Sequence, residues 1–105
     1  MRRSKRLGLS VPVVVHGNDL SGAAFHELSR AGFLNANGAQ LTMGRLVGLR
    51  QTVFVENQNT GVQQECRVVN VGAAENGKWK VGVEFTRPAE GFWEIYFPPL
   101  VRSRQ

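Results

Sequence analysis

The chain has 105 residues, 42% of them hydrophobic and 20% charged, which describes one globular domain with its own core and excludes a disordered segment. Its net charge is +5, but six of its thirteen basic residues (Arg2, Arg3, Lys5, Arg6, Arg102 and Arg104) crowd the two ends, leaving seven basic against eight acidic residues in between. A body so close to neutral is a poor platform for nucleic acid. The single cysteine, Cys66, excludes an intrachain disulfide and fits a reducing cytoplasm.

Residues 1–8 read as a basic arm. Arg2 and Arg6 are four apart, a spacing that aligns their side chains on an extended segment and also on a helix. A guanidinium presents a planar fork that bonds two phosphate oxygens and also stacks on a flat base. Arg2, Arg3 and Arg6 are therefore candidate ligands for a phosphate-bearing, purine-like molecule. A solvated basic terminus is the alternative.

Residues 9–97 form the body. Leu9, Val11, Val13 and Val15 share one face of a first strand. Pro12 cannot donate to a ladder, which points to an edge or an irregularity there. Gly17-Asn18-Asp19 reads as a turn. Residues 21–32 read two ways. Leu20, Ala24, Leu28 and Ala31 make a helical stripe with Gly32 as its stop, yet the same segment can be a strand returning from the turn. Asn37-Gly38 marks a tight turn, followed by strands at Ala39–Met43 and Leu49–Glu56. Asn57–Gly61 is a hairpin turn by composition. Val62–Val71 is the next strand, with Cys66 and Val68 on one face and Glu65 and Arg67 on the other. After a turn at Gly72–Gly77, Trp79, Val81, Val83 and Phe85 alternate with polar residues and glycine. Gly91–Phe97 is aromatic-rich and predicts one helical turn or an extended lid over an open end of the sheet. Residues 98–105 are a basic tail. Consecutive hairpins of half-buried strands predict a small antiparallel barrel.

Little here supports enzyme chemistry. His16 and His26 lack a companion pattern, Cys66 sits in an apolar strand face, and no cysteine or histidine pair has metal-ligand spacing. The phosphate-loop pattern G-x-x-x-x-G-K is absent. Glu84 is a lone carboxylate on a strand, and Gly82 leaves room for a close approach. No run of about 18 apolar residues exists to span a bilayer. Gly8, Ser10 and Pro12 interrupt any signal-type apolar segment, and position 2 is Arg rather than the Gly of a myristoylation signal. The expectation is a cytoplasmic, non-catalytic protein without a membrane partner, metal or cofactor.

These parts together resemble a PilZ domain, the bacterial module that binds the second messenger cyclic di-GMP. The matching features are the R-x-x-x-R arm (Arg2 and Arg6) ahead of the first strand, the Gly38-Ala39 turn, the strand Cys66-Arg67-Val68-Val69 and the closing Val81-Gly82-Val83-Glu84-Phe85. The resemblance implies an all-β fold, a small six-stranded antiparallel β-barrel (PilZ-like split barrel) with a short C-terminal helical turn or lid, and makes residues 22–34 a strand. It implies cyclic di-GMP as ligand, held by Arg2, Arg3 and Arg6 on phosphate and guanine, and a downstream protein partner.

The family's second motif is D/N-x-S-x-x-G, whose acid or amide and Ser bond the guanine edge and nearby backbone. Two registers compete for it. Glu27-Leu28-Ser29-Arg30-Ala31-Gly32 keeps Ser and Gly with Glu for Asp. Phe33-Leu34-Asn35-Ala36-Asn37-Gly38 keeps Gly, has Asn for Ser and replaces the acid by Phe. Spacing to the later strands favours the second, so Asn35, Asn37 and Gly38 are the expected barrel-side ligands. The rival readings are a degenerate PilZ domain that binds no nucleotide and serves as a protein-interaction adaptor, and a barrel that binds RNA through its basic ends.

Overall fold

The computed structural model describes residues 10–94. Six strands follow one another: β1 (Val11–Asn18), β2 (Ala24–Asn35), β3 (Gly38–Met43), β4 (Thr52–Asn57), β5 (Gln63–Val71) and β6 (Trp79–Phe85). All pairings are antiparallel, and they close a barrel in the order β1-β2-β3-β6-β5-β4. No helix occurs among the described residues. The expected all-β, six-stranded antiparallel barrel is therefore the fold of this chain.

Alternation builds the core. Val11, Val13 and Val15 of β1, Leu41 and Met43 of β3, Val53 and Val55 of β4, Cys66 and Val68 of β5, and Val81 and Val83 of β6 all point inward and are buried. Their partners along each strand face solvent or are half-buried, as period-two side-chain direction requires. Trp79 and Phe85, at the two ends of β6, are partly buried and pack against this core.

Several boundaries differ from the sequence expectation. β1 runs through Gly17 and Asn18, so the first turn begins at Asp19. There the Asp19 carboxylate accepts from the Ser21 amide, the Ser21 hydroxyl and the Ala23 amide. Of the two readings of residues 21–32 the fold takes the strand, the one the resemblance implied, because β2 is hydrogen-bonded on both sides, to β1 and to β3. Leu28 of the helical stripe is 70% exposed. The second turn is Ala36-Asn37, one residue ahead of Asn37-Gly38, since Gly38 already pairs with Asn35. β4 begins at Thr52, because Gly48–Gln51 closes a turn through Gln51 N–H donating to Gly48 O (3.2 Å).

The C-terminal helical turn is not formed as far as Glu94. Residues 89–94 make turns in which Phe92 N–H donates to Ala89 O and Glu94 N–H to Gly91 O. The remainder of that aromatic segment (95–97), the arm with Arg2, Arg3 and Arg6, and the tail (98–105) lie outside the described residues.

Candidate ligand-binding site

The barrel has two distinct ends. At the first, β1 begins, β6 finishes, and the β2–β3 and β4–β5 hairpins turn. Gln58 N–H donates to Pro12 O (3.0 Å) and Phe85 N–H to Asn37 O (2.8 Å), tying these elements together. At the second end lie the Asp19–Ala23 turn, the Gly44–Gln51 loop and the Gly72–Lys78 turn. Leu20 N–H donates to Leu46 O (2.8 Å), and an Arg45–Asp19 ion pair (3.2 Å) links the first two of these. The Asp19 carboxyl is held below its usual range, chiefly by the Ser21 hydroxyl and against some desolvation.

The two registers of the second motif fall in very different places. Ser29 is 5% exposed and donates to Thr42 O inside the barrel wall (2.5 Å). Glu27 accepts from the Gly44 and Arg45 amides (2.6 and 3.2 Å), so its carboxylate caps a loop at the second end. Asn35, Ala36 and Asn37 are instead exposed on the hairpin at the first end. Asn35 Oδ1 accepts from Asn37 N–H (2.8 Å), which braces the turn and leaves the Asn35 amide NH2 without a partner among the described residues.

Gly38 is needed for close approach rather than for a positive φ. A Cβ there would sit 2.0 Å from Val83 O and 3.0 Å from Glu84 Cα. Just before the hairpin β2 carries a bulge between Gly32 and Asn35. Phe33 takes the left-handed conformation (φ 47°) within it, so Leu34 turns inward and Phe33 is half exposed. A bulky residue in that region is a genuine outlier.

The point where the arm joins the barrel is also fixed. Arg30 Nε donates to Ser10 Oγ (2.9 Å), and its guanidinium Nη2 donates to Ser10 O (3.4 Å). Ser10 is thus pinned to β2 a few residues short of the hairpin. Beneath this end, Phe85, Phe92 and Trp93 form an aromatic cluster with centroids 4.8–6.1 Å apart. Buried Asn57 donates from Nδ2 to Phe92 O (2.8 Å). Trp93 Nε1 is buried there without a hydrogen-bond partner among the described residues.

The remaining groups offer less. Cys66 is fully buried, and burial together with nearby Glu65 pushes its thiol up to about 12, so it is inert near neutral pH. His16 and His26 pair across β1 and β2 and line a shallow outer groove of about 430 Å³ with Val14, Ala24 and Phe25. The His16 ring stacks on Phe54 (5.4 Å) and its Nε2 lies 2.9 Å from Gln63 Oε1. No group of three metal-ligating side chains occurs among the described residues. The Ser10–Arg30 latch, the Phe33 bulge and the neighbourhood of Glu84 were not foreseen, because each arises from cross-strand register. Comparison with protein-family models, with curated proteins and with solved structures finds no match for this chain.

Proposed function

We propose that this protein is a PilZ-like, single-domain receptor for cyclic di-GMP, acting in the bacterial cytoplasm as a non-catalytic signalling module. The observation that carries the reading is that the root of the arginine arm and the β2–β3 hairpin share one end of the barrel. Ser10, latched to Arg30, starts the path of the arm beside β2. Arg6 lies four positions before Ser10, a reach of at most about 14 Å. Val11, the residue after Ser10, pairs with Ala31, and Asn35 lies at most about 13 Å further along β2, within that reach. Arg2, Arg3 and Arg6 then bond phosphate oxygens and stack on guanine, while Asn35, Asn37 and Gly38 form the wall opposite.

The Phe33–Gly38 register is supported by the commitments of the other one, since Glu27 and Ser29 are both engaged in structural hydrogen bonds away from the hairpin. Engagement of the arm by the ligand is the signal that a downstream protein reads. An aromatic seal over the first end, continuing the buried Phe92 and Trp93, completes the proposed architecture.

Calorimetric titration with cyclic di-GMP, with GTP as control, tests this. Saturable binding that disappears in Arg2→Ala/Arg6→Ala and weakens with salt supports the receptor; unchanged affinity in that double variant sinks it. The adaptor reading draws on a different observation: Leu28, 70% exposed, lies across from Val14 on the outer wall. A folded protein that binds no nucleotide would leave that reading standing.

A further inference from the structure

We infer that Glu84, with Arg67 beside it, reads the guanine edge in place of the acid that position 33 lacks. The inference rests on the receptor reading above and names the specificity determinant of that same site. Phe33 occupies the acidic position of the hairpin motif and offers no acceptor. Guanine presents two neighbouring donors, N1–H and the exocyclic N2 amine, and two acceptors, O6 and N7. A site that selects guanine over adenine therefore needs a carboxylate facing the donors, and a guanidinium suits the acceptors.

The barrel register supplies both next to the hairpin. Gly38 pairs with Glu84 across β3 and β6, and Glu84 pairs with Arg67 across β6 and β5. The row Asn35, Gly38, Glu84, Arg67 thus crosses four adjacent strands on the outer face, at about 4.8 Å per step. Gly38 brings the row together, since its missing side chain lets the backbone at Val83 and Glu84 close onto the hairpin root. The next residue, Phe85, donates its N–H to Asn37 O and clamps β6 to the turn.

Three carboxylates near the strands are already engaged, whereas Glu84, the one in this row, is not. Glu27 caps the Gly44 loop, Asp19 holds its own turn and Arg45, and Glu56 lies within reach of Gln58 on the far side of β1. Glu84 and Arg67 are both exposed, and neither makes a hydrogen bond or ion pair among the described residues, although they are direct cross-strand neighbours. Opposite charges so placed ordinarily pair. Here both remain available to a ligand that fits between acceptor and donor.

The test is calorimetric titration of wild type, Glu84→Gln, Glu84→Asp and Arg67→Gln with cyclic di-GMP and with cyclic di-AMP, thermal melts establishing that each variant is folded. Wild type should prefer cyclic di-GMP. Glu84→Gln should weaken cyclic di-GMP binding by about 10- to 100-fold and leave cyclic di-AMP unchanged, so the preference collapses; Glu84→Asp should restore part of it. Loss of the preference in a folded protein is a result that a merely structural role for Glu84 would not produce. Wild-type binding with affinity and preference both retained in Glu84→Gln overturns the inference while the receptor reading stands. A folded wild type that binds neither nucleotide overturns the receptor reading, and this inference with it.

Discussion

Asn57 and Phe92 are joined across the first end of the barrel: the Asn57 side chain donates from Nδ2 to the Phe92 carbonyl at 2.8 Å, with both residues buried. The same side chain works in the other direction too, because its Oδ1 accepts from Asn59 N–H (2.8 Å) in the β4–β5 turn. One amide therefore fixes a hairpin and docks the segment that carries Phe92 and Trp93 onto the barrel.

Replacing Asn57 by Ala should be among the more damaging single changes outside the apolar core. It strands a buried carbonyl and removes a turn brace, a loss of about 2–3 kcal/mol. For a domain of this size that corresponds to a fall in Tm of roughly 10–20 °C, measurable by thermal or urea denaturation. Tryptophan fluorescence should shift at the same time, since Trp93 loses its anchorage. A melting curve within a degree or two of wild type would show that the amide bond is not what holds this end closed.

That docking was only half legible in the sequence. The aromatic run beginning at Phe92 read as a covering element, and Phe92 and Trp93 are buried against Phe85. What it bonds to did not follow, because Asn57 sits in a segment whose composition reads simply as a turn. The β6 strand was the clearest reading, as Trp79, Val81, Val83 and Phe85 alternate with lysines, glycine and glutamate without interruption. β2 was the least clear. Its local propensity is helical, and only pairing with both β1 and β3 settles it as a strand; tertiary context of this kind overrides weak local preference. The bulge at Phe33 reverses the inward parity from Ala31 to Leu34, which no period-two pattern anticipates. The arm showed itself as charge and the hairpin as a degenerate motif. The nearness of Glu84 to that hairpin depends on register alone, so the candidate site was legible in its parts and not in its assembly.

Gly38 illustrates how structure and binding are entangled at the hairpin. Gly38→Ala should destabilise the protein by about 1–3 kcal/mol, because the added methyl meets backbone atoms of β6 rather than a side chain that can move aside. Urea titration gives the number directly. Stability unchanged by this substitution would mean that β3 and β6 can separate slightly without cost. Ligand titrations on Gly38 variants are informative only beside that measurement, whereas Asn35→Ala keeps the backbone and isolates the side chain.

Arg50 offers the opposite sign. It sits in the left-handed region (φ 70°) at the third position of the Gly48–Gln51 turn, where glycine is the usual occupant. Its side chain is exposed and its backbone N–H donates to Val68 O (2.7 Å). Arg50→Gly keeps that bond and removes the strain of the left-handed conformation, and should raise stability by about 0.5–1 kcal/mol after the entropic penalty of glycine. Arg50→Ala retains the Cβ and should show no such gain. A destabilised Arg50→Gly would assign the arginine side chain a packing role that its exposure does not indicate.

Cys66 gives a pH dependence with a defined sign. Burial, followed by the neighbouring Glu65 charge, lifts its thiol from the ordinary 9.0 to about 12. The folded state thus holds its proton more tightly than the unfolded state. Below pH 9 both forms are protonated and the contribution of the thiol to stability is fully present. As pH rises from about 9 towards 12 the unfolded chain ionises first, and that contribution is lost. Urea unfolding followed from pH 8 to pH 11 should therefore show stability falling above pH 9, with a shallower fall in Cys66→Val, which has nothing to titrate. The same burial predicts that iodoacetamide at pH 8 labels the native protein far more slowly than the urea-unfolded chain. Equal labelling rates would mean that the barrel opens readily around Cys66, which is fully buried between its partners Val53 on β4 and Phe85 on β6.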